Sequence, residues 1–156
     1  MPSLGFLLDL DDTLVDDRAA TSAAFGAFLA HHGLSCAPAD TALLSRWPAF
    51  LARTPSVPKV IVTNGERSQQ LRKLAATGIT AHFVAVVTPG DCGFPKPHPE
   101  IFRAAVRLVG VPVEHCVMIG DDPLRDIEPA RALGMRAHRV EHGNPAASIL
   151  AALDGG

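Results

Sequence analysis

The chain has 156 residues, the size of one ordinary domain with a real core, and its 47% hydrophobic and 19% charged residues argue against intrinsic disorder of its body. A formal net charge of -2 and a pI near 6.4 give no basic footprint for nucleic acid or an anionic membrane surface. No uninterrupted apolar stretch is long enough to cross a bilayer, and abundant Ala and Val account for the slightly high mean hydropathy of +0.20.

Residues 1–8 carry no positively charged region and their apolar run stops at Asp9, so no export signal is expected and a cytoplasmic location is. Cys36, Cys92 and Cys116 form neither a CxxC nor a CxH pattern and read as reduced thiols whose default role is packing.

In chain order, the first predicted strand is the apolar run 5–8, which ends abruptly in Asp9, Asp11 and Asp12. Helical spacing follows over 17–32 and 41–53. A second strand, 60–62, ends at Thr63-Asn64-Gly65, and a helix over 68–76 stops before Gly78. A third strand over 83–87 ends at Thr88-Pro89-Gly90. The helix predicted over 99–108 has Pro99 in its first turn and Gly110 beyond its end. A fourth strand, 116–119, ends at Gly120-Asp121-Asp122. Helical spacing over 124–133, a weaker fifth strand over 137–140 and a helix over 145–153 complete the chain. Alternating strands and helices with short loops predict an α/β fold, a doubly wound parallel sheet flanked by helices. In such sheets ligands bind beyond the carboxyl ends of the strands, where this sequence concentrates its polar residues.

Asp9 and Asp11 lie two apart, so an extended backbone points them to the same side. Carboxylates that close repel unless a cation or a shared proton relieves them, which invites a hard ion such as Mg²⁺. The plainer alternative is that acidic residues after a strand cap the next helix.

The run Asp9-Leu10-Asp11-Asp12-Thr13-Leu14 resembles the first motif of the haloacid dehalogenase superfamily in its phosphatase form. Val62-Thr63-Asn64-Gly65 is similar to the second motif, Lys96-Pro97-His98-Pro99-Glu100-Ile101-Phe102 to the third, and Gly120-Asp121-Asp122 through Asp126 to the fourth. The order of the motifs and their places at strand ends extend the resemblance over nearly the whole chain. It implies a Rossmann-like single domain, 1–156, and a Mg²⁺-dependent phosphomonoester phosphatase working through an aspartyl-phosphate. It further implies Asp9 as nucleophile and Asp11 as acid and base, with Asp11 also touching the metal through its backbone carbonyl. Thr63, Asn64 and Gly65 would hold the phosphoryl oxygens, and Lys96 would steady both nucleophile and phosphate. Asp9, Asp11 and Asp121 would hold the metal, with Asp122 and Asp126 as supporting or alternative ligands, one of them capping the helix near Pro123.

The chain departs from relatives that insert a helical cap between the first two motifs. Only a short helical insertion, 16–40, stands there, so a minimal or absent cap and an open site are expected, unless a homo-oligomer covers it in trans. The substrate is expected to be phosphorylated, a small molecule or a macromolecule. Arg125 stands where many relatives carry Asn. His31 and His32 suit a helix end, His98 is a weaker candidate for substrate contact, and Trp47 reads as core or interface. Two other readings are a catalytically silent scaffold and a dehalogenase, although dehalogenation needs no second Asp to protonate a halide.

Overall fold

The computed structural model describes residues 4–11, 13–14 and 47–140. Five short strands, β1 (Gly5–Leu8), β2 (Lys59–Val62), β3 (Ala85–Val87), β4 (Cys116–Gly120) and β5 (Arg136–Arg139), form one sheet in the order β3-β2-β1-β4-β5. Every pairing is parallel, with Leu7 opposite Val60 on one side and Met118 on the other. β1 is thus the central strand, and the chain winds away from it in both directions. The carboxyl end of β1 lies where this order reverses, the crevice in which such sheets bind ligands.

The strands are apolar because both faces of the sheet are covered. Phe6, Leu8, Ile61, Val117 and Ile119 pack on one face with Trp47, Phe50, Leu51 and Leu74. Leu7, Val60, Val62 and Met118 pack on the other with Ile101, Phe102, Ala105 and Val109. Alternate residues of β1 and β4 go to opposite cores, as the two-residue period of a strand requires. Burying each large side chain contributes roughly 1.5–3 kcal/mol, so these cores supply the main drive to fold.

Five helices are described: α1 (Trp47–Arg53), α2 (Arg67–Thr77), α3 (Pro89–Cys92), α4 (Pro99–Val109) and α5 (Glu128–Ala132). Glu66 caps α2 by accepting from Gln69 N at 3.1 Å, and Gly78 closes it at φ 70°. His98 caps α4, with its Nδ1 accepting from Glu100 N, and its ring stacks on Phe94 at a centroid distance of 3.9 Å. Its imidazole is therefore used to start a helix. No described helix is long and apolar enough to cross a membrane.

Three differences from the predicted elements have local causes. The third strand begins at Ala85, because Thr80–His82 form a 3₁₀ turn closed by Phe83 N donating to Thr80 O, and Val84 is 60% exposed. Thr88-Pro89-Gly90, read as loop, starts the short α3, whose Asp91 carboxylate reaches back to Thr88 N at 2.8 Å. The predicted helix over 124–133 is split: Pro123–Ile127 form a π-helical turn and only Glu128–Ala132 are α-helical. The helices expected over 17–32 and 145–153, residues 41–46, the insertion 16–40, Asp12, His31, His32 and Cys36 lie outside the described residues.

Candidate active site

The carboxyl ends of β1, β2 and β4 converge on a cleft of about 280 Å³ whose lining includes Asp9, Asp11, Thr63, Lys96, Asp121 and Asp126. Asp9 follows β1 directly and stays in register with β4, because its N–H donates to Ile119 O at 2.9 Å. Its carboxylate is buried and takes a hydrogen bond from Lys96 Nζ at 2.5 Å. The same ammonium donates to Asp126 Oδ1 at 2.7 Å, and both Lys96 and Asp126 are buried.

The elements behind these groups explain their placement. Lys96 hangs from a loop tied to the end of β2 by a reciprocal pair: Asn64 Nδ2 donates to Lys96 O at 2.9 Å, and Lys96 N donates to Asn64 Oδ1 at 2.7 Å. Asp122 accepts from Leu124 N at 2.9 Å and Arg125 N at 3.1 Å, and so caps the π-helical turn. That turn carries Asp126 inward against Gly120, where an added Cβ would lie 2.3 Å from Asp126 Oδ2. Thr63 is anchored by its N–H to Val87 O, and its Oγ1 accepts from Gly65 N at 3.1 Å. The threonine hydroxyl, having accepted there, can donate into the cleft.

One oxygen each from Asp9, Asp121 and Asp126 lies within 4.8 Å of the others. Three hard carboxylate donors at that spacing fit a divalent cation of the Mg²⁺ kind. The electrostatics agree. Burial pushes the Asp9 carboxyl up to about 7 although Lys96 pulls it down, and Asp126 and Asp121 push it further up. Asp126 is likewise raised, chiefly by burial. Burial presses the Lys96 ammonium down, but Asp9 and Asp126 together outweigh it, and its pKa is raised. More negative than positive charge is packed here, and a cation would relieve it.

All nine residues expected from the sequence line this one cleft, with Arg125 at its edge. Two details differ from the simplest expectation. Asp126, considered a supporting or alternative ligand, belongs to the three-carboxylate cluster. The Asp11 carboxylate faces α2, where Lys73 Nζ donates to Oδ1 at 2.6 Å and Gln70 Nε2 to Oδ2 at 2.9 Å. Sequence reasoning missed Gln70 and Lys73, because a Gln and a Lys on an amphipathic helix carry no signal beyond their three-residue spacing.

The profile of the haloacid dehalogenase-like hydrolases matches residues 42–134. A phosphoserine phosphatase of Thermus thermophilus is 39% identical over 97 residues, 61% of this chain and 39% of that protein. A glyceraldehyde 3-phosphate phosphatase of Methanocaldococcus jannaschii is 36% identical over 83 residues, 53% of this chain and 36% of that protein. The chain thus spans less than two-fifths of either relative. Among solved structures, a hydrolase from Streptococcus pneumoniae superposes with a TM-score of 0.73 at 22% identity, covering 99% of this chain and 100% of its own, a likeness of fold.

Proposed function

The chain belongs to the haloacid dehalogenase-like hydrolase family, and from that membership we propose that it is a magnesium-dependent phosphohydrolase that cleaves phosphate monoesters through an aspartyl-phosphate on Asp9. The observation that carries this reading is the buried Asp9 carboxylate, held 2.5 Å from Lys96 and within reach of Asp121 and Asp126. A buried carboxylate so fixed is a nucleophile already stripped of water and aimed.

Asp9, Asp121 and Asp126 would hold the ion, with the backbone carbonyl of Asp11 as a further ligand. A divalent cation bound there supplies positive charge that offsets repulsion between the Asp9 carboxylate and a dianionic phosphoryl group. The Thr63 hydroxyl and the backbone N–H of Asn64 orient the phosphoryl oxygens, joined by the N–H of Gly65 once it leaves Thr63 Oγ1, and Lys96 neutralises charge beside Asp9. An Asp9 oxygen then bonds to phosphorus as the ester bond breaks, and Asp11, having taken a proton from solvent with the substrate bound, gives it to the departing oxygen. In the second step Asp11 takes a proton from water, whose oxygen bonds to phosphorus and releases Asp9 and inorganic phosphate. A dehalogenase would have no use for this second carboxylate.

The two relatives named above are phosphatases of small phosphorylated metabolites, which supports a small phosphate monoester as the substrate class. Part of the same proposal is a single domain, 1–156, in which the insertion 16–40 replaces a full cap and leaves specificity to the rim of the cleft. The experiment is phosphate release from an aryl phosphate with and without Mg²⁺, comparing the wild type with Asp9→Asn. Metal-dependent turnover that vanishes in the variant is the expected result. Turnover that survives Asp9→Asn, or that ignores a chelator, overturns the assignment.

A further inference from the structure

Asp11 sits two residues beyond the central nucleophile, on a segment secured locally by the turn hydrogen bond from Leu14 N to Leu10 O. A carboxylate there has rotamers to spare, and a proton donor must be fixed to act. Both of its oxygens are engaged by α2. Lys73 takes Oδ1 and Gln70 takes Oδ2, from positions three apart on one helix face.

Gln70 is the more telling of the two. Its carboxamide is buried at 1% exposure, and its Oε1 is, among the described residues, a buried side-chain acceptor without a hydrogen-bond partner. Burying an amide with an orphaned acceptor costs stability, so packing alone would favour Leu or Met at this position. What the amide gains is its bond to Asp11. It reaches Asp11 by lying against Gly65, where an added Cβ would fall 1.5 Å from Gln70 Nε2. The glycine of the phosphate-binding loop therefore also admits the residue that fixes Asp11.

We propose that Gln70 and Lys73 are positioning residues, a two-point clamp that holds Asp11 in register with the Thr63–Gly65 loop. The inference rests on the assignment of Asp11 as the proton donor and acceptor. The clamp acts through Asp11 and touches neither phosphate nor metal.

The experiment compares Gln70→Met and Lys73→Met with the wild type in Mg²⁺, using two esters. Dinitrophenyl phosphate has a leaving group that departs without a proton, whereas an alkyl phosphate needs one. Loosening the clamp should leave single-turnover release of dinitrophenol within about twofold of wild type while single-turnover cleavage of the alkyl ester falls by about tenfold or more. Steady turnover of the aryl ester should also slow, with phosphorylated protein accumulating, and Lys73→Arg should restore part of the loss. The thermal midpoint of Gln70→Met should equal or exceed that of the wild type. Equal losses on both esters with a lowered midpoint would assign Gln70 a structural role and overturn the proposal. A wild type that releases no phosphate from either ester in Mg²⁺ refutes the phosphohydrolase reading instead. In that event the clamp is judged by unfolding, and strictly additive effects of Asp11→Asn and Lys73→Met would sink it.

Discussion

The ammonium of Lys96 lies 2.5 Å from Asp9 Oδ1 although 87 residues separate them, and each side chain is less than a tenth exposed. Asp126 shares that ammonium at 2.7 Å, so one cation serves two buried carboxylates.

Removing the cation should therefore be costly. Lys96→Met leaves Asp9 and Asp126 buried without a counter-charge and should destabilise the metal-free protein by roughly 3–5 kcal/mol. Mg²⁺ should recover part of the loss, because it restores positive charge to the same carboxylates. Denaturant unfolding followed by the fluorescence of Trp47, the chain's single tryptophan and fully buried, measures both effects. A variant as stable as the wild type in chelator would contradict the ion-pair geometry.

Neutralising Asp9 should have the opposite sign. With its pKa raised from 3.8 to about 7, the folded chain keeps a proton that the unfolded chain has released between those values. Stability of the metal-free protein thus falls as pH rises through this window. Asp9→Asn removes that slope. At about 1.4 kcal/mol per pKa unit, the variant should exceed the metal-free wild type by roughly 2–4 kcal/mol near pH 8, with the advantage vanishing near pH 4. The proposed phosphatase activity should be absent from the variant at every pH. Parallel stability curves for the two proteins would refute this account of Asp9.

Gly120 is predicted to tolerate no side chain. A Cβ there would meet Asp126 at 2.3 Å from Oδ2 and 2.6 Å from Cβ, and the π-helical turn leaves Asp126 little room to retreat. Gly120→Ala should cost about 1–3 kcal/mol by overpacking. It should also weaken Mg²⁺ binding by about tenfold, since second-rank supports of a metal site carry losses of that order. Calorimetric titration with Mg²⁺ checks the second effect, and unchanged affinity would count against Asp126 as a ligand.

Much of this arrangement was legible before any coordinates. The runs at Phe6-Leu7-Leu8, Val60-Ile61-Val62 and Val117-Met118-Ile119 had to be strands buried on both faces, and the polar residues after each had to gather at one rim. Less legible were features set by distance in space. The engagement of Asp126 depends on a π-helical turn, in which Ile127 N donates to Asp122 O, and that extra residue per turn has no sign in the spacing of apolar residues. Gln70 was hidden because its burial depends on Gly65 having no Cβ, a relationship between a helix and the loop before it. Val84 misled the strand assignment, being β-branched yet mostly exposed.

The reciprocal bonds between Asn64 and the backbone of Lys96 bear on how long the protein keeps its site. An asparagine followed by glycine, as in Asn64-Gly65, is the pairing most prone to lose ammonia through attack of the next backbone nitrogen on the side-chain amide. Here both ends of that amide are occupied, with Nδ2 on Lys96 O and Oδ1 on Lys96 N, while the Gly65 nitrogen donates to Thr63 Oγ1. The attacking and attacked groups are thus both restrained while the chain is folded. Each unfolding excursion exposes the pair, and conversion to Asp would set a carboxylate against the Lys96 carbonyl. Heat ageing then reaches the loop after β2 by slow chemistry as well as by loss of structure.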